Sequence, residues 1–184
     1  HQLRSRVDAV LVGAGTVFAD NPRLTFRLEK NSKRNPIRII VAGKKTIPIS
    51  AKIFNNSHKE RVIYAVTSDF SSGRKIRFEK MGVEVLLIKQ KRGRVNLSLL
   101  MDKLGKMKIT SIMIEGGSEI SGSVVKEKLC DKVIYFIAPK IIGGRNSLSP
   151  VGGEGVKYLK DFMEIKNMSV DKLGDDLVIE GSFS

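Results

Sequence analysis

The sequence predicts an α/β fold, with a mostly parallel central sheet flanked by helices and a C-terminal antiparallel hairpin. Three observations predict it. Runs of strand length, rich in Val and Ile and apolar on both faces, recur at residues 9–12, 37–41, 62–66, 83–88, 109–114 and 133–137. Such runs mark strands covered on both sides. Helical periodicity lies between several of them. The tail differs: residues 162–170 and 176–183 alternate polar and apolar across Lys172-Leu173-Gly174-Asp175, the pattern of a hairpin closing one edge.

In chain order, residues 1–6 read as a helical segment, and the first strand then runs into Gly13 and Gly15. A loop rich in turn formers follows, through Asp20-Asn21-Pro22. A short helix over residues 73–80 is closed by Gly82. Leu97, Leu100, Met101 and Leu104 fall at i, i+3, i+4 and i+7, with Asn96 as N-cap and Gly105 just past the end. Ile120, Val124 and Leu129 mark another helix, opened by Ser118.

At 184 residues the chain can bury one full core, and 41% hydrophobic residues suit a globular protein. No apolar run approaches the roughly 20 residues that span a bilayer, so no membrane partner is expected. The single cysteine, Cys130, cannot form an internal disulfide, which fits a reducing cytoplasm, and it reads as a small buried apolar residue. One Cys and two His make an N/S metal site unexpected. The net charge of +14 is spread along the chain, and only 6% of residues are aromatic. That distribution suits a solvated surface or anionic small ligands better than nucleic acid.

Two strand-to-glycine junctions suggest one nucleotide site built from both. At the first, Gly13 and Gly15 allow close backbone approach, Thr16 and Asp20 offer hydrogen bonds, and Arg23 and Arg27 offer charge for a substrate phosphate. At the second, Ile114-Glu115-Gly116-Gly117-Ser118 joins a strand to a helix N-terminus, where free amides attract phosphate. Glu115 there needs hydrogen bonds from a ligand or from the backbone. A third strand ends in Gly43-Lys44-Lys45-Thr46. Cations and a hydroxyl at that place, instead of an acid, favour a 2′-phosphate and hence NADPH over NADH.

The segments Leu3-Arg4, Val7-Asp8-Ala9-Val10-Leu11-Val12-Gly13, Gly15-Thr16-Val17, Ala19-Asp20-Asn21-Pro22-Arg23-Leu24-Thr25, Asn35-Pro36-Ile37-Arg38-Ile39-Ile40-Val41, Ile114-Glu115-Gly116-Gly117 and Ile137-Ala138-Pro139-Lys140-Ile141-Ile142-Gly143-Gly144 occur in this order over nearly the whole chain. Together they resemble the reductases of riboflavin biosynthesis, both the reductase domain of the bifunctional deaminase–reductase and the stand-alone diaminopyrimidine reductases. The resemblance implies a dihydrofolate-reductase-like fold, NADPH as hydride donor and a homodimer. The implied substrate is a phosphorylated pyrimidine whose ribosyl group is reduced to ribityl, in the diamino-pyrimidinone or the amino-uracil form. The family's first strand has no counterpart before His1, so the chain is expected to be a single reductase domain short of that strand. The resemblance also implies roles. Asp20 and Glu115 are the candidate catalytic groups. Thr16, Asp20, Gly43, Lys44, Lys45, Thr46, Gly116, Gly117, Ser118 and Glu119 would hold NADPH. Leu24, Arg27, Arg23 and Glu115 would hold substrate. Asn21, Ala42 and Glu119 depart from the family's usual residues. A reductase of another pterin or pyrimidine, and a basic nucleic-acid-binding domain, stay open as alternatives.

Overall fold

The computed structural model describes residues 1–26, 35–43, 46–144, 147 and 149–183. They form two compact units, residues 1–120 and 121–184.

The first unit is built on β1 (Ala9–Gly13), α1 (Ala14–Asp20), β2 (Ile37–Ala42), β3 (Val62–Thr67), α2 (Ser72–Lys80) and β4 (Val83–Ile88). It continues through β5 (Gln90–Lys91), β6 (Arg94–Val95), α3 (Leu97–Lys106) and β7 (Ile112–Ile114), and it includes the first turn of α4 (Ser118–Lys126). β4-β3-β2-β1-β7 is the order of one sheet, parallel at every pairing. The expectation of strands buried on both faces holds for β1 to β3. Val10, Val12, Ile40, Tyr64 and Val66 fill one face, while Ala9, Leu11, Ile39, Ile63 and Ala65 fill the other. β7 is only half-buried, because it stands at one end of the sheet, and it is shorter than the run at residues 109–114. Phe54, Tyr64, Phe70 and Phe78 pack edge-to-face or tilted, with contacting ring centroids 4.9–6.4 Å apart. Asp8 pins the start of β1 to the start of β7, accepting from the amide and hydroxyl of Thr110 (both 2.8 Å) and the amide of Ser111 (3.0 Å).

The second unit holds β8 (Lys132–Ile137), β9 (Ile165–Leu173) and β10 (Asp176–Phe183), an antiparallel sheet in the order β8-β10-β9. The expected hairpin is β9–β10, turned by Gly174-Asp175 with Gly174 at φ +63°. Glycine at the first position of a two-residue turn matches the right-handed twist of the strands. β8 departs from expectation. Its apolar run resembles the parallel strands, yet it pairs antiparallel with β10 and leaves Phe136 and Ile137 exposed.

Local departures have local causes. Residues 1–6, read as a helical segment, form only a 3-10 turn, Arg4–Arg6, with no side-chain cap before it and extended backbone at Val7 after it. The segment read as a loop after Gly13 is α1, capped at its end by Asn21 in the left-handed region (φ 42°). In α3 the Asn96 side chain caps as expected, accepting from the Leu99 amide at 3.2 Å. Gly105 lies inside that helix, and Lys108 (φ 63°) takes the left-handed position beyond it. Gly82 (φ +79°) closes α2 as expected, since a Cβ there would lie 2.8 Å from His58 Nδ1. Cys130 is half-buried, not fully buried, and burial pushes its thiol pKa up. Among the described residues no helix is long and apolar enough to cross a membrane.

Candidate active site

β7, β1 and β2 are neighbours, and their carboxyl ends lead into Glu115-Gly116-Gly117, Gly13-Ala14 and Gly43. In open parallel sheets that edge is where ligands bind. The structure therefore brings together the two junctions singled out in the sequence.

Gly116 and Gly117 have φ of +71° and +82°, a conformation glycine adopts without strain. A Cβ on Gly117 would lie 3.1 Å from Thr16 Oγ1, so the Thr16 hydroxyl, in the first turn of α1, faces this loop. A Cβ on Gly13 would lie 2.7 Å from Ile120 Cγ1, and its absence lets the first turn of α4 pack against the end of β1. Ser118 and Glu119 open α4, where the amides of a helix start lack regular intrahelical partners, although the Ile120 amide donates to the Gly117 carbonyl at 2.9 Å. The glycine pair, these amides and the Thr16 hydroxyl form a donor set suited to a diphosphate. Asp20 ends α1, exposed, one turn beyond Thr16 on the same helix face. Gly15 does not border the loop: it is helical, and a Cβ there would meet nothing within 4 Å.

Glu115 meets a partner the sequence reading did not foresee. Arg4 Nε and Nη2 donate to its two oxygens, each at 2.6 Å, and Arg4 Nη1 donates to the Thr25 carbonyl at 2.9 Å. The hydrogen bonds from Arg4 to Glu115 raise the guanidinium pKa against partial burial, which lowers it. Hence Arg4 fixes the carboxylate and the 23–25 segment relative to one another.

The remaining candidates are distributed more widely. Leu24 has a positive φ (52°) and its side chain lies in the core, 5% exposed, so only its backbone is offered outward. Arg23 lines a cavity of ≈ 300 Å³ with Thr25, Arg38, Lys52, Asn55, Asn56 and Glu60. Arg38 is buried there, donating to the carbonyls of Ile53 (2.8 Å) and Asn55 (3.0 Å) and pairing with Glu60 at 3.1 Å. Burial holds its pKa down, partly offset by Glu60. Thr46, near the end of β2, accepts from Arg74 Nη1 at 2.5 Å. Glu119 pairs with Arg94 at 3.0 Å. Arg27, Lys44 and Lys45 lie outside the described residues.

Sequence reasoning missed Arg4, Arg74 and Arg94 as parts of this edge. Arg4 stood in the family-like segment Leu3-Arg4, which was its available signal. Nothing local marks Arg74 or Arg94, whose places depend on partners 28 and 25 residues away.

The chain matches the RibD C-terminal domain model over residues 1–179. It is 34% identical to the riboflavin biosynthesis protein RibD of Actinobacillus pleuropneumoniae, over 97% of this chain and 47% of that protein. It spans about half the length of such RibD relatives. It is 33% identical to the 2,5-diamino-6-ribosylamino-4(3H)-pyrimidinone 5′-phosphate reductase of Methanothermobacter thermautotrophicus, over 98% of this chain and 82% of that protein. A solved structure of Acinetobacter baumannii RibD superposes with a TM-score of 0.81 at 24% identity, covering 100% of this chain and 49% of that one. That likeness concerns the fold, which is the dihydrofolate-reductase-like class expected from the resemblance. By the family model, and by a relative 33% identical of which it covers 82%, the chain belongs to the RibD C-terminal domain family.

Proposed function

We propose that the chain is an NADPH-dependent reductase of riboflavin biosynthesis, converting the ribosyl group of a 5-phosphoribosylamino-pyrimidine to ribityl. The observation that carries this reading is the meeting of Thr16, the Gly116-Gly117 turn and the Arg4–Glu115 pair at the ends of β1 and β7. The Methanothermobacter relative, named as a reductase of a ribosylaminopyrimidinone phosphate, supports it.

In this reading NADPH supplies a hydride to C1′ of the ring-opened, imine form of the sugar, whose nitrogen gains a proton. The Gly116-Gly117 turn, Ser118 and the α4 amides hold the cofactor's diphosphate. Thr16 and Asp20 orient its nicotinamide end by hydrogen bonding, with Asp20 near the reacting centre. Glu115, held by Arg4, accepts hydrogen bonds from the sugar hydroxyls and keeps C1′ in line for transfer. Enzymes of this kind contribute chiefly orientation and electrostatics. The Leu24 backbone, Arg27 and Arg23 stay the proposed substrate contacts, and Gly43, Lys44, Lys45 and Thr46 the proposed 2′-phosphate side.

We include a homodimer in the proposal. Ile137, Val170 and Leu177 share one face of the β8-β10-β9 sheet and are 47%, 55% and 43% exposed, a surface suited to a second copy. The lone Cys130 suits a reducing, cytoplasmic setting.

The test is NADPH oxidation by the full-length protein with the diamino-pyrimidinone and the amino-uracil phosphates. Turnover of one form assigns the substrate. Turnover of neither, with reduction of an unphosphorylated pterin, would replace this reading with the alternative reductase.

A further inference from the structure

We propose that Asn35 is a positioning residue for the substrate, an inference that rests on the substrate reading above. Its side-chain amide fastens the segment 21–26 and thereby sets the Leu24 backbone that the substrate would meet. Leu24 holds φ at 52° although it carries a branched side chain, which lies in the core, 5% exposed. Left-handed backbone costs a side-chain-bearing residue about 1–2 kcal/mol. It persists only where the surroundings over-determine it, and such residues gather where ligands are held. The tethers of the segment 21–26 supply that constraint.

Side chains fasten the segment at its start, near Leu24 and at its end. Asn21 Oδ1 accepts from the Lys52 amide at 2.8 Å. Arg4, which grips Glu115, donates to the Thr25 carbonyl at 2.9 Å. Asn35 Oδ1 accepts from the Phe26 amide at 2.8 Å, and Asn35 Nδ2 donates to Glu60 Oε1 at 2.7 Å. Glu60 Oε2 lies 3.1 Å from Nη2 of the buried Arg38, which donates to the Ile53 and Asn55 carbonyls. Both ends of the segment are therefore tied to one stretch, residues 52–55. The start is tied directly, through Asn21. The end is tied through Asn35, Glu60 and Arg38, and Leu24 is held between the two.

The chemistry of the link requires an amide side chain. The Phe26 amide needs an acceptor and the Glu60 carboxylate needs a donor, and asparagine offers one of each. An aspartate would accept from Phe26 and repel Glu60. Pro36, which is buried, keeps the backbone of Asn35 out of the helical region, so the amide leaves a fixed main chain. Asn35 acts through the Phe26 amide and not on Asp20 or Glu115. Its loss should therefore be felt in substrate binding and not in hydride transfer.

The experiment is steady-state kinetics of the full-length protein with the pyrimidine phosphate it reduces, alongside amide hydrogen exchange over residues 21–26. Asn35→Ala is expected to raise the KM for that substrate about tenfold, with kcat and the KM for NADPH within about twofold of wild type. Exchange should quicken across residues 21–26 while β1 to β3 keep wild-type protection. Asn35→Asp should raise the KM as much, because its carboxylate faces Glu60. Asn35→Asp combined with Glu60→Gln moves the charge by one bond and keeps both hydrogen bonds, and should recover most of the wild-type KM. An unchanged KM in Asn35→Ala, or a loss confined to kcat, overturns the positioning role and leaves the reductase reading standing. A wild type that reduces neither the diamino-pyrimidinone nor the amino-uracil phosphate removes the reductase reading, and the positioning role with it. Melting curves separate loss of the tether from loss of the fold. Should Asn35→Ala fail to fold, Asn35→Asp with and without Glu60→Gln decides the matter, and a KM that the second change does not recover overturns the role.

Discussion

Arg4 and Glu115, 111 residues apart in sequence, are joined by two parallel hydrogen bonds of 2.6 Å. Bidentate guanidinium–carboxylate pairs fix orientation as well as distance. The side chains are 19% and 27% exposed, so the pair is neither fully screened nor fully desolvated. Removing Arg4 releases two things together, the carboxylate and the Thr25 carbonyl. Arg4→Ala is expected to cost about 1–3 kcal/mol of stability and to lower turnover with the pyrimidine phosphates. Arg4→Lys, which cannot bridge both oxygens in a plane, should restore stability better than turnover. Denaturant melts and steady-state kinetics on the three proteins check this.

Gly117 and Gly15 make opposite predictions. Gly117→Ala places a Cβ 3.1 Å from Thr16 Oγ1 at φ +82°, and left-handed backbone costs a side-chain-bearing residue about 1–2 kcal/mol. It should destabilise the protein and weaken NADPH binding. Gly15→Ala enters open space inside α1 and should stabilise by about 0.5–1 kcal/mol. If NADPH affinity nevertheless falls in the Gly15 variant, the ligand itself approaches that glycine. Thermal melts paired with NADPH titrations distinguish these outcomes.

Asp8 gives a pH prediction. Hydrogen bonds from the Thr110 amide and hydroxyl, then from the Ser111 amide, hold its pKa below the ordinary carboxylate value of 3.8. Its folded pKa lies under its unfolded one, so the stabilisation is complete above the unfolded pKa, about 3.9. It is lost as pH falls through the lower folded value. Asp8→Asn should lower stability at neutral pH and flatten the acid limb of the stability profile below about pH 4. Urea midpoints measured from pH 7 down to pH 2.5 (roughly the acid range of native carboxylates) would show it.

Arg38 is 1% exposed, and its Nε has no hydrogen-bond partner among the described residues. Arg38→Ala leaves the Ile53 and Asn55 carbonyls without this donor and Glu60 Oε2 without its ion-pair partner, and is expected to cost about 3 kcal/mol. Arg38→Met together with Glu60→Gln, which removes both charges, should recover much of that loss. A double-mutant cycle by denaturant unfolding measures the difference.

How far the sequence could be read depended on whether the determinant was local. The strands at residues 37–41 and 62–66 were legible because continuous Val/Ile runs suit positions covered on both faces. The run at residues 133–137 has the same character but joins a separate antiparallel sheet, and no local pattern tells the two settings apart. α1 was hidden by its own punctuation: Gly13, Gly15, Asn21 and Pro22 read as turn formers, although Gly13 and Asn21 are the two caps of a short helix. At the candidate site, the glycine pair and Thr16 could be read from residue type. Arg74 and Arg94 could not, because each is defined by a partner that only the folded chain brings near, and Arg4 had no signal beyond the family-like Leu3-Arg4 segment.

The β1–β7 pairing bears on how the protein is made. β1 can find β2 soon after both leave the ribosome, but its other flank stays open until residues 112–114 have been translated. Through that interval Ala9 to Gly13, an apolar ribbon with free peptide groups along one side, is a target for premature association. Because closure needs contacts about a hundred residues apart, folding should be slow for a chain of this size. A chaperone that shields this ribbon would raise the yield of native protein more than one acting on the terminal hairpin.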